Sequence, residues 1–345
     1  MILLLAILAL ICVWGFEFSG YHSDYLDPRY TTAIKGIFTV LIFCSHIRGY
    51  ISLSDHWSNI LYNTVFDYLG QLIVAMFFFY SGYGIWESWK RKAGYAQSFF
   101  KKRILKVLLH FDMAVLLFII VQSILSIYYS KTDYLYCWVG WTSVGNSNWF
   151  IFVILGLYLI AQFGLLIQDK MGHSGILLSI LLSILLSTLF WIWLRIFKEQ
   201  PAWWVDTLAT FSLGIMISQL KPALDTWLTK RAHQFLAVAV SAIVFFAAYK
   251  MFKIDIYGGV SCLFCCLTVL LSSIVKIGNP ILTWLGKNAF TIYIIQRLPM
   301  IVFAHWSFNQ TPAVFVLASL IATLILAECL SKLYSWTDTK LFAHA

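Results

Sequence analysis

Apolar runs of about twenty residues recur from one end of the chain to the other, separated by short polar breaks. At 1.5 Å per residue, a helix of that length spans the roughly 30 Å hydrocarbon core of a bilayer. The pattern predicts helices over 1–16, 32–53, 67–86, 104–129, 148–167, 175–197, 203–220, 232–252, 256–275, 281–304 and 312–332. Asp27-Pro28, Gly145, Pro201, Lys221-Pro222 and Gly278-Asn279-Pro280 mark loops between them. Trp and Tyr cluster at many of the boundaries, as interfacial belts require. The expected fold is an all-α, polytopic integral membrane bundle of about ten to eleven transmembrane helices. It forms a single domain over 1–345, with an extra N-terminal helix and loop (1–31) before a core of about 32–335. No internal repeat is visible, so an inverted-repeat transporter has no support from the pattern.

Composition agrees. The chain is 61% hydrophobic and 11% charged, against roughly 25% charged in soluble domains. The N-terminal run MILLLAILALICVWGF lacks a positive n-region and an A-x-A site, and reads as a retained helix. A net charge of +9 invites a nucleic-acid reading, but the basic residues lie at membrane flanks and report topology. Seven lie in the loop 87–106, and nine more in the loops that alternation places on the same side. Only four, Lys131, Lys198, Lys250 and Lys253, lie opposite. This predicts a cytoplasmic C-terminus and an N-terminus outside. Of the seven cysteines, Cys262, Cys265 and Cys266 have a CxxC-like spacing. Their neighbours are apolar and no second ligand pair accompanies them, so no metal site is read.

Chemistry concentrates in the second predicted helix, which contains Lys35, His46 and Arg48. Charged and titratable groups in a bilayer are costly and mark function or pairing. Lys35 and His46 are eleven residues apart, about three turns, so they share a face at about 16 Å axial separation. Neutral imidazole can take a proton from a hydroxyl near neutral pH. The alternatives are a histidine that packs between helices and a snorkelling interfacial lysine. Arg48 lies roughly 200° round the helix from His46 and points elsewhere. Downstream, Ser81-Gly82-Tyr83-Gly84 ends an aromatic run, and the basic stretch FFKKRILK follows. Arg103 and Lys106, three apart, are expected on one side of a helix start. With Lys101 and Lys102 they suit the phosphates of a nucleotide-bearing donor, or else signal topology alone. Asp67, Gln71, Asp112, Gln122, Arg195, Asp206, Arg297 and Glu328 fall in or near helices and are weaker candidates, each able to pair with another across the bundle.

The ordered set K-x10-H, FFFYSGYG and FFKKRILK, with Asn148-Trp149-Phe150 and LGKNAFTIYIIQ further on, resembles the membrane acyltransferase-3 family, over roughly residues 30–300. That family includes O-acetyltransferases of bacterial surface polysaccharides. The resemblance implies that His46 and Lys35 are catalytic and that Arg103, Lys106, Lys102 and Lys101 bind the donor. Ser81, Tyr83, Asn148 and Trp149 are cavity candidates, although Tyr83 and Trp149 also suit interfacial anchoring. The chain departs from the family at Lys106, where many relatives have Arg, and at Gln296, where many have His.

The expected function is therefore transfer of an acyl group, acetyl first, from a cytosolic donor such as acetyl-CoA to a hydroxyl of a sugar or cell-surface glycan. No bound cofactor is expected, acetyl-CoA being a substrate. The expected partners are the lipid bilayer and a glycan or lipid-linked sugar, and the expected location is the bacterial inner (plasma) membrane. A transporter or flippase of a lipid-linked or anionic substrate also explains many helices with buried charge. It does not explain the ordered motifs. A glycan polymerase is disfavoured because the longest outside loop, near 130–147, is short and mostly neutral.

Overall fold

The computed structural model describes residues 2–53, 56–172, 175–252 and 257–342; Lys253 of the topology count lies outside them. Helix α1 (Ile2–Trp14) leads through strand β1 (Phe16–Phe18) to α2 (Pro28–Ile47), which ends in a 3₁₀ turn, Arg48–Tyr50. Next come α3 (Trp57–Leu69) and α4 (Leu72–Arg91), separated by Gly70 at φ +46°. A short α5 (Tyr95–Phe99) continues through a π-helical turn, Phe100–Leu105, into α6 (Lys106–Ile124). The middle of the chain forms α7 (Lys131–Tyr136), α8 (Trp149–Met171), α9 (Gly175–Ile192), α10 (Ala209–Leu228), α11 (Arg231–Phe252) and α12 (Tyr257–Ser272). Strand β2 (Val275–Ile277) precedes α13 (Pro280–Lys287), α14 (Ala289–Ile295) and α15 (Arg297–His305), and α16 (Pro312–Leu341) closes the bundle.

All eleven predicted stretches contain helix. Among the described residues, seven helical stretches are long and apolar enough to cross a membrane, while α1, α12 and α14–α15 are apolar but shorter. The differences have local causes. Two residues, Gly70 and Gln71, interrupt α3 and α4, where Tyr257 accepts the Gln71 amide at 2.9 Å. The helix predicted over 256–275 stops at Ser272 because Val275–Ile277 pairs antiparallel with Phe16–Phe18, Glu17 facing Lys276. The single helix predicted over 281–304 is broken at Asn288 and Gln296. Pro299 has no N–H to give the Ile295 carbonyl, so the α-helical ladder fails there.

Helix α9 shows which solvent the fold is built for. Leu177, Leu181, Leu185 and Leu189 form an outward stripe, each at least half exposed, whereas Ser179, Ser183 and Ser187 are buried. A soluble helix would reverse that order. In lipid, helices associate through small residues that let backbones approach, not by hiding leucine. Two crossings follow this rule closely. A Cβ on Gly36 of α2 would strike the Leu282 carbonyl of α13, and one on Gly286 would strike the Thr32 carbonyl. The α4–α10 crossing is built likewise, Gly82 against the Phe211 carbonyl and Gly214 against that of Phe79.

Several basic loops meet at one end of the bundle. The β1–β2 pair joins 17–31 to 274–288, the Lys221 ammonium donates to the Ser23 carbonyl at 2.7 Å, and Lys106 pairs with Asp338 near the end of α16. These are loops that the charge pattern places on one side.

The α2–α13 contact yields a test. Gly36→Ala should destabilise by about 1–3 kcal/mol through overpacking, read as a lower melting temperature in detergent. Gly49→Ala, with nothing within 4 Å of its added Cβ, should leave it unchanged.

Candidate active site

Helix α2 begins at the mouth of a cavity. Asp27 caps it, accepting the Arg29 amide at 2.9 Å, and Pro28 occupies the first turn, where its missing N–H costs nothing. The cavity encloses about 890 Å³. It runs up the face of α2 that carries Thr31, Lys35 and Ile42, a climb of about 16 Å over those eleven residues. Six cations line it: Lys35, Arg91, Lys92, Arg103, Lys221 and Lys287. Only three carboxylates oppose them, Asp24, Asp27 and Glu87, and these are already engaged. Glu87 takes Lys90 at 2.9 Å and Arg91 at 3.2 Å, Asp24 and Asp27 share Arg29, and Lys221 is held by Asp225 at 2.6 Å. An anion entering here meets a net positive wall, and helix termini and side-chain donors reward its charge.

The expected site residues divide between wall and frame. Lys35 and Arg103 both line the cavity, close enough for their charges to act on one another. Arg103 sits beside Tyr95 and Tyr158, and Ser81, also on the wall, lies next to Tyr158. Tyr83 lines the lower part. Lys101 and Lys102 are exposed and outside the lining. Lys106 is elsewhere: its ammonium pairs with Asp338 at 2.5 Å, in a cluster where His110 meets the same carboxylate at 3.0 Å and stacks on Tyr334. Arg103 and Lys106 therefore do not share a side. The π turn winds more residues per turn than an α-helix, which rotates the two apart. Asn148 precedes α8 and donates to the Gly140 carbonyl at 2.9 Å, and Trp149 packs on Phe78 and Phe150. Neither lines the cavity.

His46 stands one turn beyond Ile42, where the cavity ends. Between them lies Tyr293, its ring 6.1 Å from the imidazole and 5.5 Å from Phe150. Gln296, fully buried, donates from its amide nitrogen to His46 Nδ1 at 3.0 Å and to the Tyr293 carbonyl at 3.3 Å. The two amide hydrogens thus go to two acceptors, and His46 Nδ1 presents its lone pair. Gln296 Oε1 is buried and has no partner among the described residues. Helix α3 braces this end of α2: Tyr62 donates to the Cys44 carbonyl at 2.5 Å, and Arg48 turns away from His46 to Asp67 at 2.6 Å. Tyr293 as divider was missed by sequence reasoning. Pro299 was the available signal that the helix breaks here.

A family model described as an acyltransferase domain matches residues 24–331. No curated protein and no solved structure gives a significant match.

The cap that starts α2 can be tested through pH. The Arg29 amide holds the Asp27 carboxyl below its ordinary range. Its contribution is therefore complete above the ordinary aspartate pKa of about 4 and is lost as pH falls below it. Asp27→Ala should cost about 1 kcal/mol at neutral pH, with the deficit shrinking in melts at acid pH, whereas Asp27→Ser should retain most of the cap.

Proposed function

The chain belongs to the acyltransferase-3 family and is a membrane acyltransferase, and on that premise we propose that it moves an acetyl group from acetyl-CoA, bound from the cytosol, to a hydroxyl of a sugar or cell-surface glycan. The observation that supports this best is the cavity: a basic mouth among the loops of one end, reaching Ile42 and Tyr293, whose ring lies 6.1 Å from that of His46. A donor with anionic phosphates at one end and a thioester at the other matches that gradient. Arg103 would take phosphate through its planar fork. The slender arm would lie along α2 past Lys35, whose charge helps hold the donor about 16 Å along the helix from His46. This reading places the enzyme in the inner membrane, with the C-terminus of α16 on the cytosolic side.

In the proposed reaction, His46 Nε2 accepts the proton of the acceptor hydroxyl while its oxygen attacks the thioester carbonyl. The tetrahedral oxyanion collapses, the C–S bond breaks, and the thiolate takes the proton back from His46. A base at Nε2 needs Nδ1 protonated. With the Gln296 amide turned over, Oε1 would accept that proton's hydrogen bond, which is the use this reading gives to an otherwise orphaned oxygen. In the arrangement described above, Nε2 carries the proton and is set to donate. Gln296 is in this account a positioning residue, holding the ring through either tautomer.

Three variants of the purified protein test the assignment. His46→Ala should bind coenzyme A normally and lose acetyl-CoA hydrolysis by about 10²-fold or more. Arg103→Ala should weaken coenzyme A binding by about tenfold or more, the scale of a charged hydrogen bond, while Lys106→Ala, its partner being Asp338, should change it little. Gln296→Leu should lower kcat by about tenfold with KM for the donor unchanged, since it removes a hydrogen bond from the base alone. Hydrolysis by His46→Ala within tenfold of wild type would sink the role given to His46.

A further inference from the structure

One intramembrane charge is unaccounted for by the donor cavity. Arg297 follows Gln296 directly and opens α15. Among the described residues, no carboxylate lies within ion-pair distance of it, and its buried Nε has no hydrogen-bond partner. Of the other cations at this depth, Arg48 pairs with Asp67, and Lys35 and Arg103 face the donor cavity. A guanidinium left without an anion inside a bundle is costly and marks a substrate or ion site. Arg297 does not line the donor cavity. It follows Gln296, which bonds His46, and its charge is felt by His46, Tyr293, Tyr50 and Tyr129, of which Tyr293 alone lines the donor cavity.

The surroundings are polar and incompletely satisfied. Ile301, one turn after Arg297 on the same helix face, packs against the loop 143–147, where a Cβ on Gly145 would come within 2.9 Å of Ile301 Cδ1 and 3.1 Å of the Tyr129 hydroxyl. Gln122 and Asn146 in this roof are 99% buried. Gln122 donates to the Val144 carbonyl at 2.7 Å, and Asn146 Oδ1 accepts the Val144 amide at 3.0 Å, yet among the described residues Gln122 Oε1 and Asn146 Nδ2 have no partner. An orphaned acceptor and an orphaned donor in one buried roof cost free energy unless something else bonds them. His46, Tyr50, Tyr129 and Arg297 beside it are all partly exposed.

We propose that Arg297, with Gln122 and Asn146, forms the acceptor subsite, and that the acceptor is a polyhydroxylated compound carrying an oxyanion, a carboxylate or phosphate, near the hydroxyl to be acylated. This rests on the reading of His46 as the base. Hydroxyl groups supply both donor and acceptor for the roof, and the oxyanion supplies the missing partner for the guanidinium fork. The subsite and the donor cavity then meet His46 from opposite sides, with Tyr293 between.

The test compares wild type, Arg297→Gln and Arg297→Lys with glucose, glucuronate and glucose 1-phosphate as probes. Melting temperature reports binding without any donor, and acetyl-CoA consumption reports transfer. Wild type should be stabilised and stimulated by an anionic sugar at least tenfold more effectively than by glucose; glucuronate marks a carboxylate acceptor, glucose 1-phosphate a phosphate one. Arg297→Gln should lose the preference through a raised KM for the anionic sugar, and Arg297→Lys should keep part of it. Equal response to glucose and the anionic sugars overturns the proposal, as does no shift with either anion. So does an Arg297→Gln defect that falls equally on all sugars in kcat, which would assign the guanidinium to the reaction itself. Absence of acetyl-CoA hydrolysis without sugar would count against the donor reading alone, because the binding arm does not depend on it.

Discussion

The contact on which the rest depends is the backbone approach of α2 and α13, Gly36 against the Leu282 carbonyl and Gly286 against that of Thr32. Helix α2 carries Lys35 and His46. The segment begun by α13 carries Tyr293, Gln296 and Arg297 three turns later. Neither set makes a site by itself. Locking the two backbones at van der Waals distance sets the register at which Gln296 reaches His46. Lipid offers no hydrophobic force to do this, so packing of small residues has to. The matching α4–α10 crossing sets the opposite wall, with Ser81 and Tyr83 on it.

Given that frame, the site is a division of polarity along one helix. Below Ile42, the wall is basic and open toward the end where the cationic loops gather. Above it stand a buried amide, a partly open imidazole and a guanidinium with no carboxylate partner among the described residues. Tyr293 and Phe150 stand between. Donor and acceptor chemistries would need such a separation if each came from a different side of a membrane, since a continuous polar passage would leak water and ions.

Much of this was legible in the sequence. Membrane character, the eleven helical stretches, and the shared face of Lys35 and His46 follow from periodicity and from the cost of charge in lipid. Arg48 turned away as its angle requires. What escaped was local departure from the ideal helix. Spacing by 3.6 puts Arg103 and Lys106 together, but a π turn separates them, and no residue in FFKKRILK announces it. Helix α16 runs past 332, far enough to bring Asp338 to Lys106, because its polar tail leaves the apolar stripe that periodicity follows. The break at Gln296 was readable from Pro299, yet its purpose, turning one side chain toward His46, belongs to tertiary structure. Family likeness pointed to His46 and Arg103; it had nothing to say of Arg297, whose importance appears only when its lack of a partner is seen.

The central claim is that one cavity carries a donor from basic loops to His46. The most direct measurement is a cryo-EM structure of the protein with coenzyme A bound. The account predicts phosphates against Arg103, the arm lying along α2 past Lys35, and the thiol beneath Tyr293 within one helical turn of His46. Coenzyme A bound outside this cavity, or inside it with the thiol pointing back toward the basic mouth, would contradict it.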